Sequence, residues 1–438
     1  MKPFHIMALL ICASVMLSIL EPAVGAAPKA ESTTLKNGVR VGYLYVPQSK
    51  NLSIFSFLPM GLASDEAGRC GWSHLLEHLV IRTTDPASFQ EANAETVVDH
   101  MRLDFYGTVD NWREGLSRHA RWLGGMPFTK QSLKAEKVNA NSEGDIVAPK
   151  LFTHKFAFSA WSQVCRHGRA NAGVKADLNG ATLKDIQQYR DQHLFVPQRT
   201  LVCGIGGIDP KEFLAAVEES IGKLVCDAKP LAAVPPRSGD RDATWDLDAR
   251  HIMLVWPIAA PANVDDHGPL MLAAPLVMAL AAQDASLSGL AGPVLAGADL
   301  ASPEGWHFYV SAALRPGASV AEVRRILAGH VEHLKQIKDN ELPVVNVGRM
   351  LAGQLRPQDP ESMKAQMPAG SPAGMAEAQV GLMWGMQEFR YGKQSDLLAK
   401  KLERTNAAQV RRAADKWLGA KQRIVLTVHP PTKSQEAP

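Results

Sequence analysis

Three observations predict an α+β chain built from two similar halves. Strand-like alternation and helix-like periodicity interleave along its length. A stretch with neither, KPLAAVPPRSGDRD at 229–242, interrupts them near the middle with Pro, Gly and charge. Residues 185–204 (DIQQYRDQHLFVPQRTLVCG) also echo 409–428 (QVRRAADKWLGAKQRIVLTV), with Ile186 falling on Val410, Leu194 on Leu418 and Gln198-Arg199 on Gln422-Arg423. Helix–loop–strand lies over helix–loop–strand at an offset of 224 residues, 185 falling on 409. At 438 residues the chain is too long for one compact domain and comfortable for two of about 200 each.

The first element stands apart from the fold. Lys2 precedes an apolar run from Ile6 to Leu20, and small residues surround Gly25 and Ala26. This reads as a secretory signal peptide over 1–26, with an uncleaved anchor as the alternative. Cys12 sits inside the apolar run after Ile11, not at a lipid-attachment position. TTLKNGVRVGYLYVPQ follows as strand, Asn37-Gly38 turn and strand, and NLSIFSFLPM as a third strand. The loop GLASDEAGRCG leads into a helix bearing the stretch GWSHLLEHLVIRTT (71–84), and helical periodicity returns at 111–124, 129–143 and 182–194. RTLVCGIGGID is a strand ending in glycines, and Asp209-Pro210 caps and opens the helix PKEFLAAVEESIGKL. The pattern restarts with the strand RHIMLVWPI. The expected division is a first domain over 27–230, a linker over 231–244 and a second, homologous domain over 245–438.

Composition narrows the function. With 46% hydrophobic and 21% charged residues the chain is globular, and 47 basic against 44 acidic residues leave a net charge of +3. That balance, without a long basic run, excludes a nucleic-acid or anionic-membrane surface. No second apolar run is long enough to span a bilayer, so the mature chain is expected to be secreted or periplasmic. Cys70, Cys165, Cys203 and Cys226 permit two disulfides there, and their spacing fixes no pairing.

The chemistry concentrates in GWSHLLEHLVIRTT at 71–84. His74 and His78, four apart, project from one face of a helix and direct two imidazoles at one point, as a zinc ion requires. Glu77 lies near that face but is displaced enough to reach a water instead of the metal. The order H-x-x-E-H is the inverted form of H-E-x-x-H. A catalytic zinc site needs a third ligand, and the helix SLKAEKVNANSEGD offers Glu136 and Glu143, seven residues and two turns apart. One can bind the metal while the other steadies a ligand or Glu77.

With these segments in view, the chain resembles the insulinase/pitrilysin (inverzincin) metallopeptidases, and among them the shorter processing-peptidase-like branch. TTLKNGVRV looks like that family's opening hairpin and GLASDEAGRCGWSHLLEHL like the approach to its zinc helix. MPFTKQSLKAEKVNANSE is similar to its "E, seven on, E" helix, and LNGATLKDIQQYRDQHLFVPQRTLVCGIGGIDPKEF to the end of its first domain. The resemblance implies one Zn²⁺ per chain on His74, His78 and Glu143, Glu77 as general base and Glu136 as a supporting carboxylate. It implies a fold of two homologous α/β-sandwich domains forming half of a clamshell, the other half coming from a second subunit.

Two departures qualify the resemblance. The gap from His78 to Glu143 is 65 residues, roughly ten fewer than the family shows. The shortening is expected to remove the family's Asn-Ala-containing edge strand, to which an extended substrate pairs, with MRLDFYGTVDN in its place. Active relatives also use an Arg and a Tyr, about seven apart in the second domain, in an oxyanion-type role. The corresponding SLSGLAGPVLAGADLASPEGWHFYVSAAL has no arginine before Arg315, and its only tyrosine is Tyr309. The expectation is therefore an exported zinc endopeptidase for unfolded peptides, paired in a heterodimer with a homologous subunit that supplies the Arg and Tyr. The alternative is a non-catalytic scaffolding subunit of the same family. His330-Val-Glu-His333 reads as a solvated helix face, GIGGID lacks a phosphate-loop spacing, and no G-x-S-x-G elbow is present.

Overall fold

The computed structural model describes residues 28–62, 65–84, 91–97, 99–147, 175–229, 239–244, 249–258, 265–299, 306–339, 342–372 and 374–430. The expected signal segment and Cys165 lie outside them. The first half runs β1 (Lys29–Thr34), β2 (Arg40–Tyr45), β3 (Asn51–Leu58), α1 (Trp72–Thr84), β4 (Ala92–Thr96), β5 (Met101–Thr108), α2 (Trp112–Leu123), α3 (Lys130–Val147), α4 (Lys175–Gly180), α5 (Leu183–His193), β6 (Leu201–Gly206) and α6 (Pro210–Ser220). The second half runs β7 (Arg241–Thr244), β8 (His251–Ile258), α7 (His267–Gln283), α8 (Ala285–Ser288), β9 (Leu295–Asp299), β10 (Trp306–Ala313), α9 (Val320–His333), α10 (Val344–Gln354), α11 (Pro360–Ala365), α12 (Met375–Tyr391), α13 (Ser395–Arg404), α14 (Ala407–Trp417) and β11 (Ile424–His429).

Each half carries one sheet, and the two sheets share a plan. The first is ordered β1-β2-β6-β3-β5-β4 and the second β7-β11-β8-β10-β9. β6 is parallel to β2 as β11 is to β7, and β6 is antiparallel to β3 as β11 is to β8. The echo read in the sequence falls on this plan: α5 and α14 begin and end at positions 224 apart, each followed by a 3₁₀ turn and a central strand. Only β1 has no counterpart among the described residues. β1 and β2 pair from Lys29 opposite Tyr45 to Thr34 opposite Arg40. The turn between them needs Gly38, at φ +97°, while the Asn37 amide donates to the carbonyls of Ile221 and Leu224.

Alternation along the strands sorts the cores. Leu52, Ile54, Leu58, Leu103 and Phe105 pack beneath α1, α2 and α5, whereas Phe55, Phe57, Cys203 and Ile205 point to the other face. That second face is covered by α12, a helix of the second half, through Ala378, Val380 and Trp384. Contact is close enough that a Cβ on Gly381 would lie 2.4 Å from Ile205 and one on Gly385 2.5 Å from Cys203 Sγ. Arg40 of β2 donates to the carbonyls of Glu388 and Phe389, and Arg390 pairs with buried Asp99 in the β4–β5 turn.

Three expectations change. The end of the expected 231–244 linker is strand β7, which owes its existence to parallel pairing with β11 and has no local apolar pattern. MRLDFYGT is not the edge strand but its neighbour β5; the edge is β4, ANAET, which carries Asn93-Ala94 itself. His330 is half-buried, with Nε2 3.1 Å from Asp284 Oδ2, so the HVEH face is not simply solvated. No disulfide joins Cys70, Cys203 and Cys226 to one another. Among the described residues, no helix is long and apolar enough to cross a membrane.

Candidate metal centre

α1 is fixed at its start by a buried carboxylate. Asp65 accepts from the backbone N–H of Gly71 (2.7 Å) and Ser73 (3.1 Å), from Ser73 Oγ (2.5 Å) and from Tyr189 Oη of α5 (2.9 Å). Burial pushes its carboxyl up to about 6 even against these four donors. Leu75, Leu76, Leu79 and Val80 then anchor the apolar side of α1 in the core. The row His74, His78 and Arg82, at i, i+4 and i+8, is left facing α3. On α3 the buried Leu133, Glu136 and Ala140 lie on the packed side, and the small Ala140 lets the helices approach.

Three atoms from these helices converge. His74 Nε2 and His78 Nε2 are 3.1 Å apart, and Glu143 Oε2 lies 3.4 Å from the first and 3.3 Å from the second. His74, His78 and Glu143 are the group among the described residues that could hold a metal ion. Three ligands about 2.1 Å from a zinc ion at tetrahedral angles stand about 3.4 Å from one another, so this triangle has the size the ion needs. Glu136 faces the opposite nitrogen of His78, with Oε2 3.1 Å from Nδ1, and is itself held by Asn139 Nδ2 at 3.0 Å. The two carboxylates that spacing alone could not rank thus address different atoms. The donor set, two imidazoles, one carboxylate and a second carboxylate behind one imidazole, fits zinc.

The electrostatics match. Burial works against a charged His78, but hydrogen bonding to Glu136 and Glu143 and the charge of Glu77 outweigh it and push its pKa up to about 9. Burial likewise raises Glu143 and Glu136, and is outweighed in both: hydrogen bonds from His74 and His78 hold Glu143 far below the carboxylate range, and His78, Asn139 and Arg82 hold Glu136 below it. Glu77 is half-buried on the same helix, outside the triangle.

Sequence reasoning missed three contributors. Arg82 reaches both carboxylates of α3, 3.6 Å from Glu136 and 3.8 Å from Glu143. Its place one turn beyond His78 was the available signal. Asp65 and Tyr189 act across 124 residues of chain, which no local pattern reveals. Edge strand β4, against α1, is the third. In the second half Tyr309 lies within β10, its ring against Gly297 of β9, and Arg315 donates to the carbonyl of Ser288.

No family model matches the chain. Among curated proteins it is similar to a probable mitochondrial-processing peptidase subunit beta of Schizosaccharomyces pombe, 24% identical over 231 residues, 49% of this chain and 50% of that protein. It is also similar to the zinc protease PqqE of Helicobacter pylori, 23% identical over 285 residues, 58% of this chain and 62% of the relative. These matches span about half to three-fifths of the relatives' length. Among solved structures, a protease from Helicobacter pylori superposes with TM-score 0.69 at 17% identity, over 92% of this chain and 100% of that one. A peptidase M16 inactive domain from Pseudomonas fluorescens gives 0.69 at 14%, over 93% and 99%. The periplasmic protease PqqL from Escherichia coli gives 0.63 at 14%, over 93% of this chain but 48% of that one. The fold is thus that of an M16-like peptidase half, two sandwich domains with the inverted zinc motif in the first. In sequence the chain is similar to insulinase/pitrilysin peptidases of the processing-peptidase-like branch.

Proposed function

We propose that the chain is an exported zinc metalloendopeptidase for unfolded peptides, completed by a homologous partner subunit. The observation that carries this reading is the triangle of His74 Nε2, His78 Nε2 and Glu143 Oε2 with Glu77 beside it on α1. A zinc ion held there would polarise a scissile carbonyl and acidify a water. Glu77 takes the proton of the attacking water and returns it to the leaving amine. Glu136 keeps His78 oriented with Nε2 toward the triangle. Edge strand β4, paired on one side to β5, offers its other side to an extended peptide, which main-chain hydrogen bonding can hold whatever its side chains.

The second half supports the need for a partner. Residues 286–314 contain no arginine, and Tyr309 is committed to β10, so the groups that would steady the tetrahedral oxyanion are expected from a second, similar chain. The same feature favours the alternative reading, a scaffolding subunit that keeps its metal site. The two are separated by measuring metal content and peptide hydrolysis for the wild type and Glu77→Gln, alone and with a homologous subunit that carries the Arg and Tyr. The peptidase reading predicts zinc in both, cleavage by the wild type with its partner, and loss of cleavage in the variant. A Glu77→Gln variant with full activity overturns the mechanism, and a zinc-loaded wild type inactive with every such partner favours the scaffold.

A further inference from the structure

The guanidinium of Arg82 sits in the seam between α1 and α3, where it meets both glutamates of α3. Its Nε is 3.6 Å from Glu136 Oε2, and its Nη2 is 3.8 Å from Glu143 Oε1. The oxygen matters. Glu143 turns Oε2 to the two imidazoles, at 3.3 and 3.4 Å, and its other oxygen, Oε1, to Arg82. A carboxylate can give a metal one oxygen or two, and a second would fill the position that a catalytic zinc keeps open. An arginine, unlike a lysine, presents two parallel N–H edges and can address two carboxylates at once.

We propose that Arg82 is a positioning residue of the metal centre: by attracting Oε1 of Glu143 and Oε2 of Glu136 together, it keeps Glu143 a one-oxygen ligand and holds the fourth position open. The inference rests on the metal-site reading above and adds a residue to it. Helix geometry gives Arg82 this task, since 74, 78 and 82 form one row and the row faces α3. Its side chain is about one-third exposed (34%).

The test uses cobalt(II) in place of zinc, because its visible absorption reports coordination number without any turnover. Wild type, Arg82→Gln and Arg82→Lys are titrated with cobalt(II), and zinc affinity is measured by competition. The expected results are an intense four-coordinate spectrum for the wild type, a weaker, blue-shifted five-coordinate one for Arg82→Gln, and a zinc affinity lower by on the order of tenfold in that variant. Arg82→Lys, which keeps the charge but not the fork, is expected to recover part of the affinity. Should Arg82→Gln not fold, Arg82→Met, which keeps the stem, serves with the same expectation. A variant spectrum and affinity equal to those of the wild type overturn the role of Arg82 and leave the site reading standing. A wild type that takes up no cobalt overturns both.

Discussion

α1 and α7 occupy the same place in the two halves and do opposite things with it. Each follows the second central strand of its sheet, β3 or β8, packs on one face of that sheet and runs beside the edge pair, β4–β5 or β9–β10. α1 carries His74, His78 and Arg82 toward α3. α7 is HGPLMLAAPLVMALAAQ, with Leu270, Leu272, Leu276 and Val277 fully buried, and its neighbour α10 brings Val344 and Ala352 where α3 brings glutamates. The same architecture is therefore stable with an apolar seam. Burying His78 and Glu136 at 4% and 7% exposure is costly unless each is paired, and packing does not ask for it. The polar seam of the first half is what the proposed metal site would account for.

The largest effect that would sharpen this contrast is on metal binding. Glu143→Gln removes one corner of the triangle, and zinc affinity is expected to fall on the order of hundredfold or more by competition titration. A variant that binds as tightly as the wild type would place the metal elsewhere. The next breaks the contrast itself by making the first seam resemble the second. In metal-free protein His78→Leu alone leaves Glu136 buried with one partner fewer, and chemical denaturation is expected to show a loss of roughly 2–4 kcal/mol. Adding Glu136→Leu should return stability to within about 1 kcal/mol of the wild type, with no metal bound. If the double variant is the less stable of the two, the seam is structural after all.

A smaller effect concerns α12, a helix of the second half packed on the sheet of the first. Gly385→Ala pushes a methyl into Cys203 and Phe57 and is expected to cost about 1–2 kcal/mol, read as a lower denaturation midpoint. The smallest is a pH dependence. Because His78 is raised from 6.5 to about 9 in the fold, its pairing stabilises metal-free protein fully below pH 6.5 and loses that contribution as pH rises through about 9. The wild type should lose stability over that window relative to His78→Gln, and parallel curves would remove the assigned pairing.

Much of this was legible because it is local. The Asn37-Gly38 turn, the H-x-x-E-H helix and the Asp209-Pro210 cap each announce themselves within a few residues, and the α5/α14 echo survives because helix, turn and strand keep their spacing. What escaped depends on contacts made far along the chain. β7 is a strand only because β11 pairs with it, β4 is a five-residue edge flanked by Glu91 and hidden in a gap that looked too short, and α12 is a helix of one half whose glycines fit the sheet of the other. At the site, spacing alone left Glu136 and Glu143 as equals and the family resemblance ranked them, while the rotation of α3 against α1 gives one to Nδ1 of His78 and the other to both Nε2 atoms.

The most direct test of the central claim is an anomalous-difference map at the zinc absorption edge from crystals grown with equimolar zinc. The account predicts one peak per chain, within bonding distance of His74 Nε2, His78 Nε2 and one oxygen of Glu143, and none beside α7. A map with no peak at that triangle, or with its strongest peak in the second half, would contradict it.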